Sequence, residues 1–380
     1  MKIIFDRLQL NERITPLLNT ISNKNINPAL EGVLIEAKEN QECILTTFDN
    51  ERGTRTTIQA KVEQPGSCVI PAIKLAQTLR LMDEDDLVID VDEKMKTVIS
   101  SGISRYNLIS IDSGKFAGLP RLSGEKGFTI SQNVLKKMIG KTMFAMASND
   151  ARPVLNGTYV IINAQQITMV ACDSFRLAKS TKDVEITTIG EDEEINLKFI
   201  VPERAINDLY KLLEDDEKKK ADIYISKKNM VVNVGNYIFF TKLIEGDYIP
   251  YENIINMKHK LHLKVNKDEF LAALERASLI TDEKSSNRKK EYIKLEISSD
   301  RMILKAESSA GATYDEIDVE YKGDPIIIGF SNRFMIENTR AIDCDEICID
   351  MSSAFTATNM YAADPEEDSD QYMILPVKVN

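Results

Sequence analysis

The sequence predicts an α+β fold built from one segment used three times. Three observations predict it. One order of elements (strand, helix, polar loop, hairpin, then strand, helix and closing strands) recurs along the 380 residues. Strand-Pro-helix joints stand at matching places, Pro71 and Pro202. An aspartate follows matching β-like runs at Asp49 and Asp173. A long internal period constrains the fold more than any single element does.

The first segment opens with a β-like run, Met1–Phe5. Gln9–Ile21 follows, with Leu10, Ile14, Leu17, Leu18 and Ile21 at helical spacing, so it forms a helix with one buried face. A polar loop, Ser22–Asn27, leads to Pro28 and then to the runs Gly32–Glu36 and Cys43–Thr47. The middle segment repeats this order. Phe128–Ile130 is the strand, and Ser131–Ala147 the helix, with Ser131 as a helix-capping hydroxyl. The polar tip Asn149–Arg152 runs into Pro153, whose fixed φ suits a turn. Thr158–Ile162 and Ile167–Ala171, joined by Asn163–Gln166, read as a hairpin. In the third segment Leu261–Val265 is the strand and Asn266–Ile280 the helix. Thr281–Glu291 is the polar loop, and Tyr292–Ile297 with Met302–Ala306 the hairpin.

Each segment has a matching second half. Cys68–Pro71 leads into a helix over Ala72–Met82, and Lys198–Pro202 into one over Glu203–Leu213. Ile326–Phe330 leads into one over Asn332–Ala341. Two of these helices are expected to begin at proline, which the first helical turn tolerates. Closing strands follow, such as Leu87–Val91, Thr97–Ser101 and Arg105–Ile109. The reading gives three domains, 1–125, 126–257 and 258–380, each two strand-helix-antiparallel-strand half-modules.

Composition narrows the function classes. Hydrophobic residues make up 43% and charged residues 28% of the chain, as in ordinary globular proteins. No apolar run reaches the ~18 residues of a membrane helix, and Asp6 and Arg7 break the start of the chain as a signal peptide. The expectation is a cytoplasmic protein with no membrane partner. Five scattered cysteines read as reduced thiols. Cys344 and Cys348 have no second pair to complete a metal site, and His259 and His262 stand alone, so no metal or cofactor is expected. No glycine-rich phosphate loop or GxSxG is present, and the repetition of Asp49 and Asp173 argues for turns rather than catalysis. No catalytic residue is assigned.

The net charge of -12 alone argues against a nucleic-acid binder. Its distribution argues the other way. The six helical stretches hold twelve basic and seven acidic residues, so the rest of the chain carries all of the acidic excess. Helix propensity favours Glu as well as Lys and Arg, so it does not explain a surplus of one sign. Helices gathered on one face would present a positive surface to the dense charge of a duplex.

The motifs now identify a likeness. Arg152-Pro153-Val154-Leu155-Asn156-Gly157 and Ala171-Cys172-Asp173-Ser174-Phe175-Arg176-Leu177-Ala178 resemble the central signature of the bacterial DNA polymerase III β subunit, the sliding-clamp family. Lys242–Gly246 and the ending Tyr372–Val377 are similar to it too, and the likeness runs through the whole chain. It implies a head-to-tail homodimer of three clamp domains per chain, closed into a ring with helices lining the hole and a β layer outside. Such a ring does no chemistry. It encircles duplex DNA without regard to sequence and tethers the polymerase.

The likeness and the charge pattern together assign residues. DNA contact is expected from Lys24, Asn149 and Arg152 on the polar loops, and from Lys74, Arg80, Lys136, Lys137, Lys141, Arg204 and Lys211 on the helices. A pocket for short partner peptides is implied at Leu155, Cys172, Ser174, Phe175, Arg176, Leu177 and Ile254, completed by Met373, Ile374, Leu375, Pro376 and Val377. Tyr106, Leu108, Leu279 and Ile280, with Lys74 nearby, match the dimer contact. The implied partners are the polymerase III catalytic subunit, the clamp loader and other proteins with clamp-binding peptides. The chain departs from the family pattern at Cys172, Phe175, Asn253 and Ser285. A second reading is a β-rich interaction scaffold that never touches DNA.

Overall fold

The computed structural model describes residues 1–21, 26–82, 85–120, 126–190, 195–281, 292–308, 311–366 and 368–379. Lys24, Ser285, most of the loops Ser22–Asn27 and Thr281–Glu291, and the expected boundary at 125–126 on its residue-125 side lie outside them.

Helix ends follow local capping. Helix α1 spans Arg7–Leu17, starting earlier than its apolar spacing suggests because the Asp6 carboxylate accepts the Gln9 amide at 2.8 Å. It buries Leu10, Ile14 and Leu17, each worth about 1.5–3 kcal/mol of transfer free energy. It then tightens into a 3-10 turn, Leu18–Thr20. Helix α2 spans Ala72–Leu81. Helix α3, Gln132–Thr142, is shorter than expected. The Thr142 hydroxyl donates back to the Met138 carbonyl at 2.9 Å, and a 3-10 turn, Met143–Ala145, follows. Helix α4 spans Glu203–Leu212 and the short α5 Glu252–Ile255. Helix α6, Lys267–Ser278, is capped by Asn266, and α7 spans Asn332–Ala341.

Pro71 and Pro202 end strands instead of opening helices. Each lies opposite a glycine, Gly32 and Gly157. A Cβ on Gly32 would stand 2.8 Å from the Ile70 carbonyl oxygen, and one on Gly157 would collide with that of Val201. The close backbone approach at these joints requires glycine.

The chain divides into two compact units, one made of Met1–Lys136, Ile186–Ile195 and Arg204–Leu243, the other of Lys137–Glu185, Asn196–Glu203 and Ile244–Asn380. The first unit holds a ten-stranded sheet. Its order is Ile111–Asp112, Gly66–Pro71, Gly32–Ala37, Glu42–Phe48, Arg52–Gln59, Tyr237–Lys242, Asn229–Val234, Lys220–Ile225, Lys126–Ser131 and Thr187–Ile189. Its five-stranded sheet runs Lys61–Gln64, Lys2–Asp6, Asp86–Val91, Lys96–Ser101 and Ser104–Ile109. Ile3, Phe5, Leu10, Ile14, Leu75, Leu79 and Ile89 share one core with these sheets.

The second unit holds a nine-stranded sheet. Its order is Asn196–Pro202, Gly157–Asn163, Gln166–Cys172, Arg176–Asp183, Gln371–Ile374, Thr358–Ala362, Glu346–Met351, Leu261–Asn266 and Glu320–Lys322. Its four-stranded sheet runs Gly311–Asp318, Arg301–Ser308, Ile293–Ser298 and Ile326–Phe330.

These orders show the repeat at the level of hydrogen bonds. A four-strand set occurs three times: 66–71, 32–37, 42–48, 52–59; then 196–202, 157–163, 166–172, 176–183; then 326–330, 293–298, 301–308, 311–318. A five-strand set occurs three times as well, built around 2–6, 126–131 and 261–266. The half-modules therefore trade their opening strands. Lys2–Asp6 pairs with Asp86–Val91 of the second half, and Gly66–Pro71 with Gly32–Ala37 of the first. The last strand of each of the first two four-strand sets then meets the last strand of the next five-strand set. Arg52–Gln59 pairs with Tyr237–Lys242, and Arg176–Asp183 with Gln371–Ile374.

Candidate DNA face and partner site

Two hairpin turns share one construction. In Asp49-Asn50-Glu51-Arg52 the Asp49 carboxylate accepts the Glu51 amide at 3.0 Å and the Arg52 amide at 2.8 Å. In Asp173-Ser174-Phe175-Arg176 the Asp173 carboxylate accepts the Phe175 and Arg176 amides, both at 2.9 Å. Asn50 has φ +76° and Ser174 φ +78°, a left-handed conformation that the aspartate loop holds in place. The turn role expected for these aspartates is what the geometry shows.

The second turn positions an apolar cluster. Leu155, Cys172, Leu177 and Met373 are buried together with Val170, Tyr251 and Ile255, and Ile254 packs on them half-buried. Leu177 and Met373 are cross-strand partners. Burial pushes the Cys172 thiol up, so it behaves as a small apolar group. Phe175 is 56% exposed beside the cluster, and its carbonyl accepts the Leu375 amide at 2.8 Å. Ser174 receives a hydrogen bond from the Arg152 guanidinium.

Three of the residues assigned to this pocket lie elsewhere. Arg176 precedes Leu177 on one strand, so it points to the opposite sheet face. There its guanidinium bonds Glu337 of α7 and the Phe144 carbonyl, and stands 4.0 Å from the Phe334 ring centre. Ile374 pairs with Arg176 and shares that face. Val377 bridges to Gly329 of the four-stranded sheet. Pro376, between Leu375 and Val377, is half-buried.

The cluster also contains residues the sequence did not single out. Tyr159 stacks on Tyr248 at 4.9 Å and meets Tyr251 edge-on at 6.4 Å. Burial pushes the Tyr251 phenol up to about 12. The run Tyr248-Ile249-Pro250-Tyr251, just past Lys242–Gly246, was the available signal.

The basic residues divide into free and engaged. Lys74, Arg80, Lys137 and Arg204 are exposed and form no salt bridge among the described residues. Lys211 is exposed and reaches the Asn19 side chain at 3.3 Å. Lys136 is half-buried with its ammonium 5.6 Å from the Tyr210 ring centre. Asn149 is exposed at φ +59°, and Arg152 is exposed but folded onto Asp150 at 3.1 Å.

Lys141 departs from its expected role. Its side chain is only 12% exposed, with its ammonium 2.6 Å from Asp368 and 2.9 Å from both Asp343 and Asp370. Burial acts to lower its pKa, but the three carboxylates outweigh burial and raise it. A cation held this way is spent on the fold and is not available to a phosphate. The basic residues of α6 and α7 are similarly engaged. Arg276 pairs with Asp315, Arg333 with Glu337 and Arg340 with Glu275. Among the described helical residues, the exposed basic side chains without a salt bridge therefore lie on α2, α3 and α4.

Two strands of the joint-forming kind stand unjoined at sheet edges among the described residues. Ser104–Ile109 ends the five-stranded sheet and carries Tyr106 and Leu108. Gly311–Asp318 ends the four-stranded sheet, and Leu279, 79% exposed, and Ile280 stand at the end of α6. Ile280 lies 3.5 Å from where a Cβ on Gly311 would be.

Comparisons with known proteins agree on one family. Models of the DNA polymerase III beta subunit match in order: the N-terminal domain over residues 1–120, the central domain over 129–250 and the C-terminal domain over 252–378. A beta sliding clamp of Staphylococcus aureus is 29% identical over 381 residues, spanning 97% of this chain and 96% of its own length. One from Staphylococcus epidermidis is 28% identical, spanning 100% and 99%. Among solved structures, the sliding clamp of Bacillus subtilis superposes with a TM-score of 0.89 at 25% identity, covering 100% of both chains. That of Bartonella birtlesii gives 0.88 at 26%, again over 100% of both. No helix among the described residues is long and apolar enough to cross a membrane. These likenesses do not favour a scaffold that never meets DNA. The chain belongs to the DNA polymerase III beta subunit family, the DNA sliding clamps of replication.

Proposed function

We propose that two copies close head to tail into a ring around duplex DNA, with the domains 1–125, 126–257 and 258–380 in each copy. One observation carries this reading. The chain makes the same edge-to-edge joint twice, 52–59 with 237–242 and 176–183 with 371–374. It is left with one strand of each kind, 311–318 and 104–109, as sheet edges. A third joint of the same type needs a second copy, and a heterologous contact that closes on rotation gives a ring. Open edges are otherwise a liability, and pairing them removes it.

Helices α2, α3 and α4 then face the DNA with Lys74, Arg80, Lys136, Lys137, Arg204 and Lys211, joined by Asn149 and Arg152. Loose phosphate attraction of this kind carries no sequence information and permits sliding. The ring tethers the polymerase III catalytic subunit, is placed by the clamp loader, and takes short partner peptides on the Leu155–Leu177–Met373 cluster with its tyrosines. This work is done in the cytoplasm.

The test is topological. The protein is loaded on nicked circular DNA with a clamp loader and ATP, and the circle is then cut. The expected result is retention on the circle and loss from the linear ends. Persistence on linear DNA, or failure to load, would overturn the reading.

A further inference from the structure

Arg52 and Arg176 do the same task at two joints. Each closes an aspartate turn and reaches the 3-10 turn after its own segment's first helix. Arg52 donates to the Asn19 carbonyl at 3.2 Å, and Arg176 donates to that of Phe144. Each also reaches an acid on the second helix of the next segment. Arg52 stands 2.9 Å from Asp208, and Arg176 pairs with Glu337. Asp208 and Glu337 are both the sixth residue of their helices, α4 and α7. Both arginines are nearly buried, at 11% and 4% side-chain exposure. The arrangement thus ties two consecutive segments together beside the strand joint.

The third copy of the turn is different. Strand register fixes the correspondence: Phe48 pairs with Gly53, Cys172 with Leu177 and Glu307 with Ala312. Ser308 therefore stands where Asp49 and Asp173 stand, and Gly311 where the arginines stand. The matching helix is α2, whose sixth residue is Gln77. Its third residue is Lys74, at the place where Phe334 of α7 covers the Arg176 guanidinium. Turn aspartate, arginine and helix acid are all missing from this set, and a lysine stands where the second joint has Phe334 and the first has Ala205.

We propose that the Asp–Arg–acid staple locks the two joints within the chain, and that its omission leaves the joint between copies the one that parts. This rests on the head-to-tail reading. A nearly buried charge pair resists separation once formed, because parting strands one charge in a poorly hydrated place. At the first joint this rests on charge proximity, since Arg52 Nε and Asp208 Oδ2 stand 2.9 Å apart without hydrogen-bond alignment. A joint without the staple lacks this barrier.

The staple can be grafted. Ser308→Asp, Ser309→Asn, Ala310→Glu and Gly311→Arg reproduce residues 49–52 as a unit, so the arginine does not inherit the glycine's φ of +151°. Gln77→Glu supplies the acid. Two populations labelled with different fluorophores at the amino terminus are mixed, and subunit exchange is read by energy transfer. The full graft is expected to exchange about tenfold more slowly than the unaltered protein. The graft without Gln77→Glu is expected to stay near the unaltered rate. A full graft exchanging at the unaltered rate overturns the proposal. Unaltered chains that never pair overturn the head-to-tail reading instead.

A second measurement does not depend on the graft folding. In Arg52→Gln, amides across 52–56 and 237–241 are expected to exchange hydrogen about tenfold faster, with those of 166–172 unchanged. Unchanged exchange across that joint would overturn the proposal.

Discussion

At the level of single residues, three buried charges carry information that composition hides. Burial raises the Asp208 carboxyl to about 6, against the lowering effects of Arg52 and Lys211. A carboxyl raised on folding binds its proton more tightly in the folded state. Its contribution is full below the unfolded value near 4 and is lost as pH rises through 6. Asp208→Asn should therefore flatten the stability profile between pH 4 and 6, removing a change of up to about 3 kcal/mol. Urea midpoints across that range measure it, and a slope equal to that of the unaltered protein would contradict the assignment. Lys141 is the second case. Lys141→Ala leaves the buried Asp370 without its cation and the buried Asp368 with only Lys182, 3.6 Å away. The expected loss is about 3 kcal/mol, read by urea denaturation, whereas a surface lysine would cost less than ~1. Spacing on a helix put Lys141 beside Lys137, but the acids that claim it lie more than 200 residues away in sequence, at 343, 368 and 370. A linear reading had no means of bringing them together. Arg176 stands apart for a simpler reason: the two-residue alternation of its strand turns it away from Leu177, which a motif taken as a block does not show.

Among the helices, a count of basic residues does not separate free cations from paired ones. Periodicity located all six long helices, and only their ends moved, where Asp6 capped early and Thr142 bonded backward. What the count missed was pairing within α6 and α7. The working surplus is on α2, α3 and α4, so Lys137→Glu with Lys136→Glu should weaken retention on circular DNA several-fold and reduce its salt dependence. Arg340→Glu, whose parent arginine is already paired with Glu275, should change retention little. Equal effects from the two variants would remove the distinction between free and engaged cations. The hairpins were legible because alternation and turn residues mark them. The exchange of opening strands between half-modules was not, since strand order in a sheet leaves no local trace in the chain.

For the molecule as a whole, the proposed contact between copies uses the two last strands left unjoined, 104–109 and 311–318. Leu108 sits half-buried on the 104–109 edge. Leu108→Arg should shift the protein toward single chains in sedimentation at micromolar concentration, with unfolding of the single chain unchanged within about 1 kcal/mol. A dimer of undiminished strength would show that this edge is not the contact. The same joint has a further consequence for a chain still being made. Thr56 and Asn236, which bond at the first joint, are 180 residues apart in sequence. The strand 52–59 therefore leaves the ribosome long before the strand that will cover it. For that interval it is an uncovered ladder, open to pairing with any neighbouring nascent chain. Its sequence, Arg-Gly-Thr-Arg-Thr-Thr-Ile-Gln, is poor in apolar residues and carries two guanidinium groups, which keep a waiting edge from sticking to the wrong partner. Arg52 then changes employment: the charge that guards the strand during synthesis becomes, once residue 208 arrives, the charge that fastens it.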